Sequence, residues 1–318
     1  MTTKLFIITG PTGVGKTKFS LALAKKIQGA IISADSMQVY KGMDLGTDKI
    51  KKEDQEGICH YGLDIIDPKE GYSVAQFQED VAGYLEKIQK KGMNPILVGG
   101  TGLYLHSLMY ALDFSREKEN VDLRKNLDDL YEKEGVASLR ELLLKEDPEA
   151  LEHVDPNNPQ RLIRAIELAK AGKKKGRNFD QIREDRQVIL VVLNRDREEL
   201  YRRINDRVDQ MLEEGLVEEV KTLVQKGLGK DDQAMKAIGY KEVLSYLEGE
   251  TSYEDMVQLL KRNSRRYAKR QLTWFRRYPQ AHWIDLSVLE SAEALEKMME
   301  LWRDYDKENW PNYWRCRK

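Results

Sequence analysis

Short apolar runs alternate with longer stretches of helical periodicity along most of the chain. The runs that predict strands are residues 5–9, 30–34, 95–98, 188–193 and 282–286. Between residues 73 and 92, apolar residues recur every three or four positions, which is the spacing of a helix with one buried face. Strands that alternate with helices in this way predict an α/β fold with a doubly wound, mostly parallel sheet.

The pattern changes between residues 112 and 187, where the strand signal stops. Leucines at helical spacing predict two helices there, and Asn158 followed by Pro159 predicts the start of a third. We therefore expect residues 113–187 to form an all-helical insertion domain within a core domain made of residues 1–112 and 188–318. The segment 172–177, rich in glycine and lysine, predicts a loop.

The composition is that of a globular enzyme. Of 318 residues, 41% are hydrophobic and 34% are charged, and no apolar run approaches the roughly 20 residues of a membrane helix. Cys59 and Cys316 are the only cysteines, and they form neither a metal-binding spacing nor a disulfide framework. We expect a cytoplasmic protein with no membrane contact.

Charge is unevenly placed, although the net charge is only −1. Residues 256–284 contain no Asp or Glu but eight Lys or Arg, among them Arg265, Arg266 and Lys269, with aromatic residues between them. Arginine and lysine neutralise phosphates, and aromatic rings stack on unpaired bases or pack in a core. The stretch therefore predicts a basic helix that binds a polyanion, most simply a nucleic acid.

The most specific motif follows the first predicted strand. It is the P-loop pattern, in which a glycine and four residues precede Gly-Lys-Thr: Gly10-Pro11-Thr12-Gly13-Val14-Gly15-Lys16-Thr17. Backbone amides of such a loop, and the start of a helix at Lys16, bind a diphosphate or triphosphate. Lys16 adds a positive charge, and the Thr17 hydroxyl is a ligand for Mg²⁺. The motif alone does not say whether the ligand is ATP.

Two further positions, each just after a predicted strand, carry candidate chemistry. Asp35 ends the second strand, where it is either a general base or an aspartate that caps a turn. Thr101 follows the third strand after Gly99-Gly100, as a ligand contact or a helix N-cap. P-loop ATPases often have an acid at that strand end, so the two glycines argue against ATP hydrolysis, and they would permit close approach of a ligand.

Two sets of arginines have the spacing of a shared helix face. Arg203 and Arg207, four residues apart, form either a clamp for a diphosphate or a solvated surface. Gln160, Arg161 and Arg164 lie on one face of the helix predicted after Asn158, where they suit contacts with phosphates or base edges.

Seven segments, taken in order, resemble the bacterial tRNA dimethylallyltransferase family. Asp48 and Ile50 depart from the resemblance, because Ala and Pro are expected there. The segments span nearly the whole chain and are Gly10–Thr17, Ser33-Ala34-Asp35-Ser36-Met37-Gln38-Val39-Tyr40, Met43-Asp44-Leu45-Gly46-Thr47, Val98-Gly99-Gly100-Thr101-Gly102-Leu103-Tyr104, Asp155-Pro156-Asn157-Asn158-Pro159-Gln160-Arg161, Ala237-Ile238-Gly239-Tyr240-Lys241-Glu242 and Arg270-Gln271-Leu272-Thr273-Trp274-Phe275-Arg276.

The resemblance implies a P-loop NTPase-like fold and transfer of a dimethylallyl group from dimethylallyl diphosphate to N6 of the adenosine immediately 3′ of the anticodon in tRNA. Lys16, with Arg203 or Arg207, would stabilise the departing pyrophosphate, with Mg²⁺ held partly by Thr17. Asp35 would act as general base and Thr101 would orient N6. The resemblance also implies tRNA contacts at Asp35, Ser36, Met37, Gln38, Thr101, Arg124, Pro159, Gln160, Arg161, Leu162, Ile163 and Arg164. We expect a monomer.

Three alternatives remain open at this point. A P-loop kinase of a nucleotide or small metabolite would consume ATP, but it has no evident use for the basic helix. An adenylate isopentenyltransferase would perform the same chemistry on free AMP or ATP. An RNA-binding module with a purely structural P-loop would leave Asp35 and Thr101 without a role.

Overall fold

A computed structural model describes residues 3–112, 121–172 and 181–306. The chain divides into two compact units, one formed by Met1–Met109 with Ile182–Lys318 and the other by Tyr110–Gln181. The second unit begins and ends slightly before the insertion predicted from the sequence, 113–187. Most of the loop predicted at 172–177 lies outside the described residues.

The first unit is built on one sheet in which every pair of neighbouring strands is parallel. The strand order is β3-β2-β4-β1-β5-β6, which confirms the predicted doubly wound α/β class. The strands are β1 Thr3–Thr9, β2 Gly29–Ser33, β3 His60–Tyr61, β4 Asn94–Gly99, β5 Arg186–Asn194 and β6 His282–Asp285. The sequence did not predict β3, because two residues are too few to show an alternating pattern.

Helices make up most of the rest of both units. In chain order they are α1 Lys16–Ile27, α2 Val74–Lys90, α3 Gly102–Met109, α4 Val121–Glu134, α5 Val136–Glu146, α6 Pro148–Glu152, α7 Pro159–Lys170, α8 Arg197–Glu213, α9 Leu216–Gln225, α10 Tyr240–Leu247, α11 Tyr253–Phe275 and α12 Ser291–Asp306. Of these, α4 to α7 belong to the second unit. Among the described residues, no helix has both the length and the apolar character needed to span a membrane.

The core of the first unit surrounds β1, which lies between β4 and β5. Residues 5–8 are completely buried, as a continuous apolar run in the middle of a parallel sheet requires. Phe6 and Ile8 belong to a cluster with side chains of α1, α8 and α12, among them Leu23, Ile204 and Met298. This packing aligns the carboxyl ends of β1, β2 and β4, where ligands bind in such sheets.

The second unit has its own apolar core, formed by α4, α5, α6 and α7. Leu127, Leu139, Leu143 and Leu162 are among its buried side chains. The predicted start of α7 is confirmed, because the Asn158 side chain accepts a hydrogen bond from the Arg161 N–H at 3.1 Å and proline occupies the first turn.

Candidate active site

The loop between β1 and α1 has the backbone conformation that its glycines allow. Gly10, Gly13 and Gly15 all have positive φ, at 148°, 76° and 106°, a region that other residues rarely adopt. The Lys16 ammonium lies against this loop and donates to the carbonyl oxygens of Gly10 at 3.1 Å and Pro11 at 2.9 Å. Thr17, the next residue, is exposed.

The environment of Lys16 weakens its hold on a proton. The pKa of its ammonium is lowered to about 8, chiefly by burial and to a smaller extent by Arg207, while Asp35 and Asp48 partly offset these effects. Lys16 is therefore still mostly charged at neutral pH, and an incoming anion would stabilise the charged form.

Two arginines of α8 reach the same loop from across the cavity. Arg203 Nε donates to the Gly13 carbonyl oxygen at 2.9 Å. Arg207 Nη1 donates to Thr12 Oγ1 at 2.8 Å and lies 3.1 Å from a carboxylate oxygen of Asp48. The arrangement favours the predicted clamp over a solvated helix face, because both guanidinium groups point at the loop that carries Lys16.

Asp35 lies directly beyond the end of β2. Its Oδ1 accepts a hydrogen bond from the Met37 N–H at 2.9 Å, so the aspartate does cap a turn. It also lines the same cavity as Lys16 and Arg207. The two interpretations made from the sequence are therefore compatible, since the turn uses Oδ1 and the carboxylate still faces the ligand side.

Thr101 lies beside this turn. Its hydroxyl accepts from the Ser36 N–H at 3.0 Å and donates to Ser36 Oγ at 3.2 Å. The Tyr267 hydroxyl is hydrogen-bonded to Thr101 and Gln271. Burial, with Asp35 nearby, raises the pKa of Tyr267, so its hydroxyl keeps its proton. Thr101 thus joins the ends of β2 and β4 to α11.

The two glycines after β4 have a structural cause that differs from the one expected. A Cβ at Gly99 would collide with the Ala34 carbonyl, and one at Gly100 would collide with the Gln271 side chain. Both positions need glycine because other atoms of the protein lie where a Cβ would be. That space is therefore not available to a ligand, contrary to the expectation.

Gln271 fixes the phosphate loop to the sheet end. Its side chain is 5% exposed, accepts from the Thr12 N–H at 2.9 Å and donates to the Gly100 carbonyl at 2.9 Å. Sequence reasoning did not assign Gln271 or Tyr267 a role. The available signal was a glutamine on the apolar face of α11, which also carries Met256 and Leu260.

Two cavities meet at these residues. The polar one, of about 410 Å³, is lined by Lys16, Thr17, Arg203 and the acids Asp48 and Asp206. The other, of about 320 Å³, has an apolar wall. That wall comes from α8, the segment before α10, and α11, and it consists of Ile204, Val208, Met211, Ala237, Ile238 and Leu260. Both cavities are lined by Thr12, Asp35, Thr47, Arg207 and Tyr267.

A loop formed by residues 44–49 closes one side of this site. The Glu219 carboxylate accepts from the N–H groups of Asp44 at 3.0 Å and Leu45 at 2.9 Å, and from the Tyr240 hydroxyl at 2.5 Å. Gln38 donates to the carbonyl oxygen of Thr47 at 3.2 Å. The motifs at 43–47 and 237–242 are therefore parts of one packed structure.

The basic block on α11 is divided between two directions. Lys261 pairs with Asp209 at 2.6 Å and Arg265 donates to Asn205 at 2.5 Å, so both point toward α8. The residues that face solvent are Arg262, Arg266, Lys269, Arg270, Arg276 and Arg277. Arg265 is therefore not part of an exposed basic surface, contrary to the expectation.

In the second unit, Gln160, Arg161 and Arg164 are exposed on α7, as predicted. The Glu167 carboxylate is 3.1 Å from Arg164 and 3.8 Å from Arg124, and it joins α7 to α4. Of the other three members of the predicted tRNA-contacting set on this helix, Pro159 is half-buried in the first turn, and Leu162 and Ile163 are buried in the core of the unit. Their side chains serve packing and do not form an RNA-facing surface.

Comparison of the chain with known proteins gives a result that is consistent with the geometry of this site. A family model described as IPP transferase matches residues 38–278. The chain belongs to the IPP transferase family. A relative in this family, the tRNA dimethylallyltransferase of Clostridioides difficile (strain 630), is 45% identical over 300 residues, which cover 94% of this chain and 96% of the relative.

Two solved structures related to this IPP transferase family member extend the likeness to the fold. The full-length tRNA isopentenylpyrophosphate transferase from Bacillus halodurans is 42% identical, with a TM-score of 0.68 over 94% of this chain and 99% of its own. A eukaryotic dimethylallyltransferase acting on tRNA is 30% identical, with a TM-score of 0.80 over 95% of this chain and 79% of its own. The predicted P-loop-like fold and the resemblance to tRNA dimethylallyltransferases are thus confirmed.

Proposed function

We propose that this protein transfers a dimethylallyl group from dimethylallyl diphosphate to N6 of the adenosine immediately 3′ of the anticodon in tRNA, and releases pyrophosphate. The observation that carries the proposal is that the polar cavity beside the phosphate loop and the cavity with the apolar wall meet at Asp35. A prenyl diphosphate needs these two environments side by side. The names of the relatives, which are transferases acting on tRNA, support the same reaction.

The diphosphate belongs in the polar cavity. Loop amides, Lys16, Arg203 and Arg207 would surround it, and as its bond to carbon breaks they would stabilise the negative charge that develops on the leaving pyrophosphate. Lys16 now bonds to the Gly10 and Pro11 carbonyls, so its ammonium would exchange these acceptors for phosphate oxygens.

Mg²⁺ fits this cavity through the Thr17 hydroxyl. The ion would be held by this hydroxyl, by phosphate oxygens and by water. Bound Mg²⁺ would supply positive charge to the diphosphate.

The apolar wall suits the dimethylallyl group. Its side chains, such as Val208, Met211 and Leu260, come from α8 and α11, and they would exclude water from the allylic carbon while it carries positive charge. Water exclusion matters, because a water molecule that reached this carbon would hydrolyse the donor.

Asp35 would remove the proton from the nucleophile. The adenine amine is too weakly acidic to ionise first, so its proton leaves as the nitrogen–carbon bond forms and the carbon–oxygen bond breaks. Asp35 Oδ2 is the oxygen suited to accept it, since Oδ1 is occupied by the turn. Thr101, whose hydroxyl accepts a hydrogen bond from the N–H of Ser36, the residue after Asp35, would help to orient N6.

The acceptor needs a separate set of contacts. A base in the anticodon loop must leave its stack, at a cost of roughly a few kcal/mol. The exposed arginines and lysine of α11, including Arg262, Arg266 and Lys269, would offset this cost by binding phosphates. Arg124, Gln160 and Arg161 of the helical unit would add contacts to the RNA. We propose a monomer that acts in the cytoplasm.

A labelled-donor assay tests the proposal. The protein is incubated with Mg²⁺ and labelled dimethylallyl diphosphate, together with tRNA, with the same tRNA lacking adenosine at the position 3′ of the anticodon, or with AMP. Label should enter only the tRNA that has adenosine 3′ of the anticodon, and the transfer should not require ATP. Label in AMP would indicate an adenylate isopentenyltransferase. No transfer to any acceptor, together with a phosphorylated product in a parallel incubation that contains ATP, would indicate a kinase.

A further inference from the structure

Positive and negative side chains are balanced in the polar cavity. Lys16, Arg203 and Arg207 line it as cations, and Asp35, Asp48 and Asp206 line it as anions. An anion site gains nothing for ground-state binding from carboxylates at its edge, since they repel a diphosphate. Asp35 has a role as base, which leaves Asp48 and Asp206 to be explained.

Asp48 is the acid that engages one of the cations directly. Its carboxylate lies 3.1 Å from Arg207 Nη1, and its side chain is 58% exposed, against 23% for Arg207. Arg207 Nε is buried and has no hydrogen-bond acceptor among the described residues. The guanidinium is therefore held by Asp48 and Thr12 while one of its donors lacks an acceptor of the kind that a phosphate oxygen would supply.

The backbone holds Asp48 in this position. Its N–H donates to the Leu45 carbonyl at 3.1 Å, and its carbonyl accepts from Gln38 Nε2 at 3.2 Å. Its φ of 53° is in the left-handed region, which Asp and Asn adopt more readily than most residues. Asp48 is also a residue at which this chain departs from the pattern it otherwise resembles.

We propose that Asp48 sets the affinity of the site for diphosphate by competing with it for Arg207, and that the competition speeds the departure of pyrophosphate. The inference rests on the proposed function, because it assumes that a diphosphate occupies this cavity. When the diphosphate is bound, Arg207 turns from Asp48 to phosphate oxygens. When the prenyl group has been transferred, Asp48 recaptures the guanidinium and pyrophosphate leaves more easily.

The test uses inorganic pyrophosphate with Mg²⁺ and the full chain, without tRNA. Asp48→Asn keeps the shape and the left-handed backbone conformation but removes the charge. Its pyrophosphate dissociation constant, measured by titration calorimetry, should fall about twofold to fivefold, the range for loss of a partly exposed ion pair. The dissociation rate, measured by displacement in a stopped-flow instrument, should fall by a similar factor.

Two further variants separate competition from a general charge effect. Asp206→Asn removes an acid that lines the same cavity, and its effect should be less than twofold. In an Arg207→Gln background, Asp48→Asn should also change affinity less than twofold, because the group competed for is absent. Thermal unfolding of each variant checks that the fold is retained.

Equal or weaker binding by Asp48→Asn would overturn the inference, as would an undiminished gain in the Arg207→Gln background. Either result leaves the proposed function standing when the wild type binds pyrophosphate and labels tRNA. A wild type that binds no pyrophosphate and labels no tRNA would overturn the proposed function itself.

Discussion

The polar cavity of the first unit and the outer face of α7 in the second both carry arginines, but they hold them differently. In the cavity, each guanidinium is fixed by a residue far away in the chain: Arg203 contacts Gly13 and Arg207 contacts Thr12. On α7, Arg164 is fixed by Glu167, only three residues later, and Arg161 is exposed. A reaction centre needs preorganised charge, whereas a recognition surface tolerates adjustable side chains.

The difference predicts unequal sensitivity to substitution. A change in the cavity disturbs chemistry and long-range contacts together, so its effect on turnover is large. A change on the helix surface removes one contact among several and acts on the Michaelis constant for RNA. Four experiments examine this contrast.

Asp35→Asn should have the largest effect. The asparagine Oδ1 still accepts the Met37 N–H, so the turn is kept, but the base is lost and turnover should fall roughly 10²–10⁴-fold. Pyrophosphate affinity, measured by calorimetry, should not weaken. Asp206→Asn, which also removes a charge from the cavity lining, is the matched control. If turnover stays within threefold of the wild type, Asp35 serves only the turn.

The pH dependence of diphosphate binding should report Lys16. Its pKa of about 8 means that the ammonium is charged below pH 8 and neutral above it. From pH 7 to pH 9 the charged fraction falls from about nine tenths to about one tenth, so pyrophosphate affinity should fall several-fold more in the wild type than in Lys16→Met. The ligand's own ionisation is common to both proteins. If pyrophosphate affinity changes with pH by the same factor in the wild type and in Lys16→Met, Lys16 does not contribute its charge to diphosphate binding.

Removing the exposed charges of α11 should act on RNA alone. The triple variant Arg262→Ala, Arg266→Ala, Lys269→Ala should raise the Michaelis constant for tRNA about tenfold and reduce the slope of log affinity against log salt by roughly two. The Michaelis constant for dimethylallyl diphosphate should not change. Lys261→Ala, which breaks the ion pair to Asp209, should instead lower the melting temperature. A rise in both Michaelis constants would argue against an RNA-facing surface.

The smallest effect is expected on α7. Arg161→Ala should raise the Michaelis constant for tRNA about twofold to fivefold, because a single phosphate contact is lost. Lys170→Ala, in the last turn of the same helix, is the control and should have less effect. An equal rise for both variants would indicate only a diffuse charge effect.

The parts of the molecule that could be predicted from the sequence are those encoded locally. Five strands, the glycine-rich loop and the Asn158 cap all depend on residues a few positions apart. The positions of Asp35 and Thr101 at the carboxyl end of the sheet could also be predicted from the sequence, because parallel strands bring their carboxyl ends together.

Features that depend on packing between distant segments could not be predicted in this way. Gln271 contacts Thr12, 259 residues away, and nothing near either residue indicates the pair. Arg265 points toward α8 because its guanidinium donates a hydrogen bond to Asn205 on that helix, and the sequence of α11 alone does not indicate this contact. Gly99 and Gly100 are visible in the sequence at the end of a predicted strand, but the sequence could not show that Ala34 and Gln271 fill the space beside them.

The position of β1 in the middle of the sheet has a consequence for biosynthesis. As the ribosome makes the chain, β1 emerges first and pairs with β4 once residue 99 is available, but its other partner, β5, begins only at residue 186. Until then β1 is an unprotected sheet edge, open to pairing with another nascent chain. The loop after β1 waits longer still, because the amide that fixes Thr12 arrives with residue 271. The strand that is translated before the other five, with the loop that follows it, is thus among the last parts of the sheet to reach its working conformation.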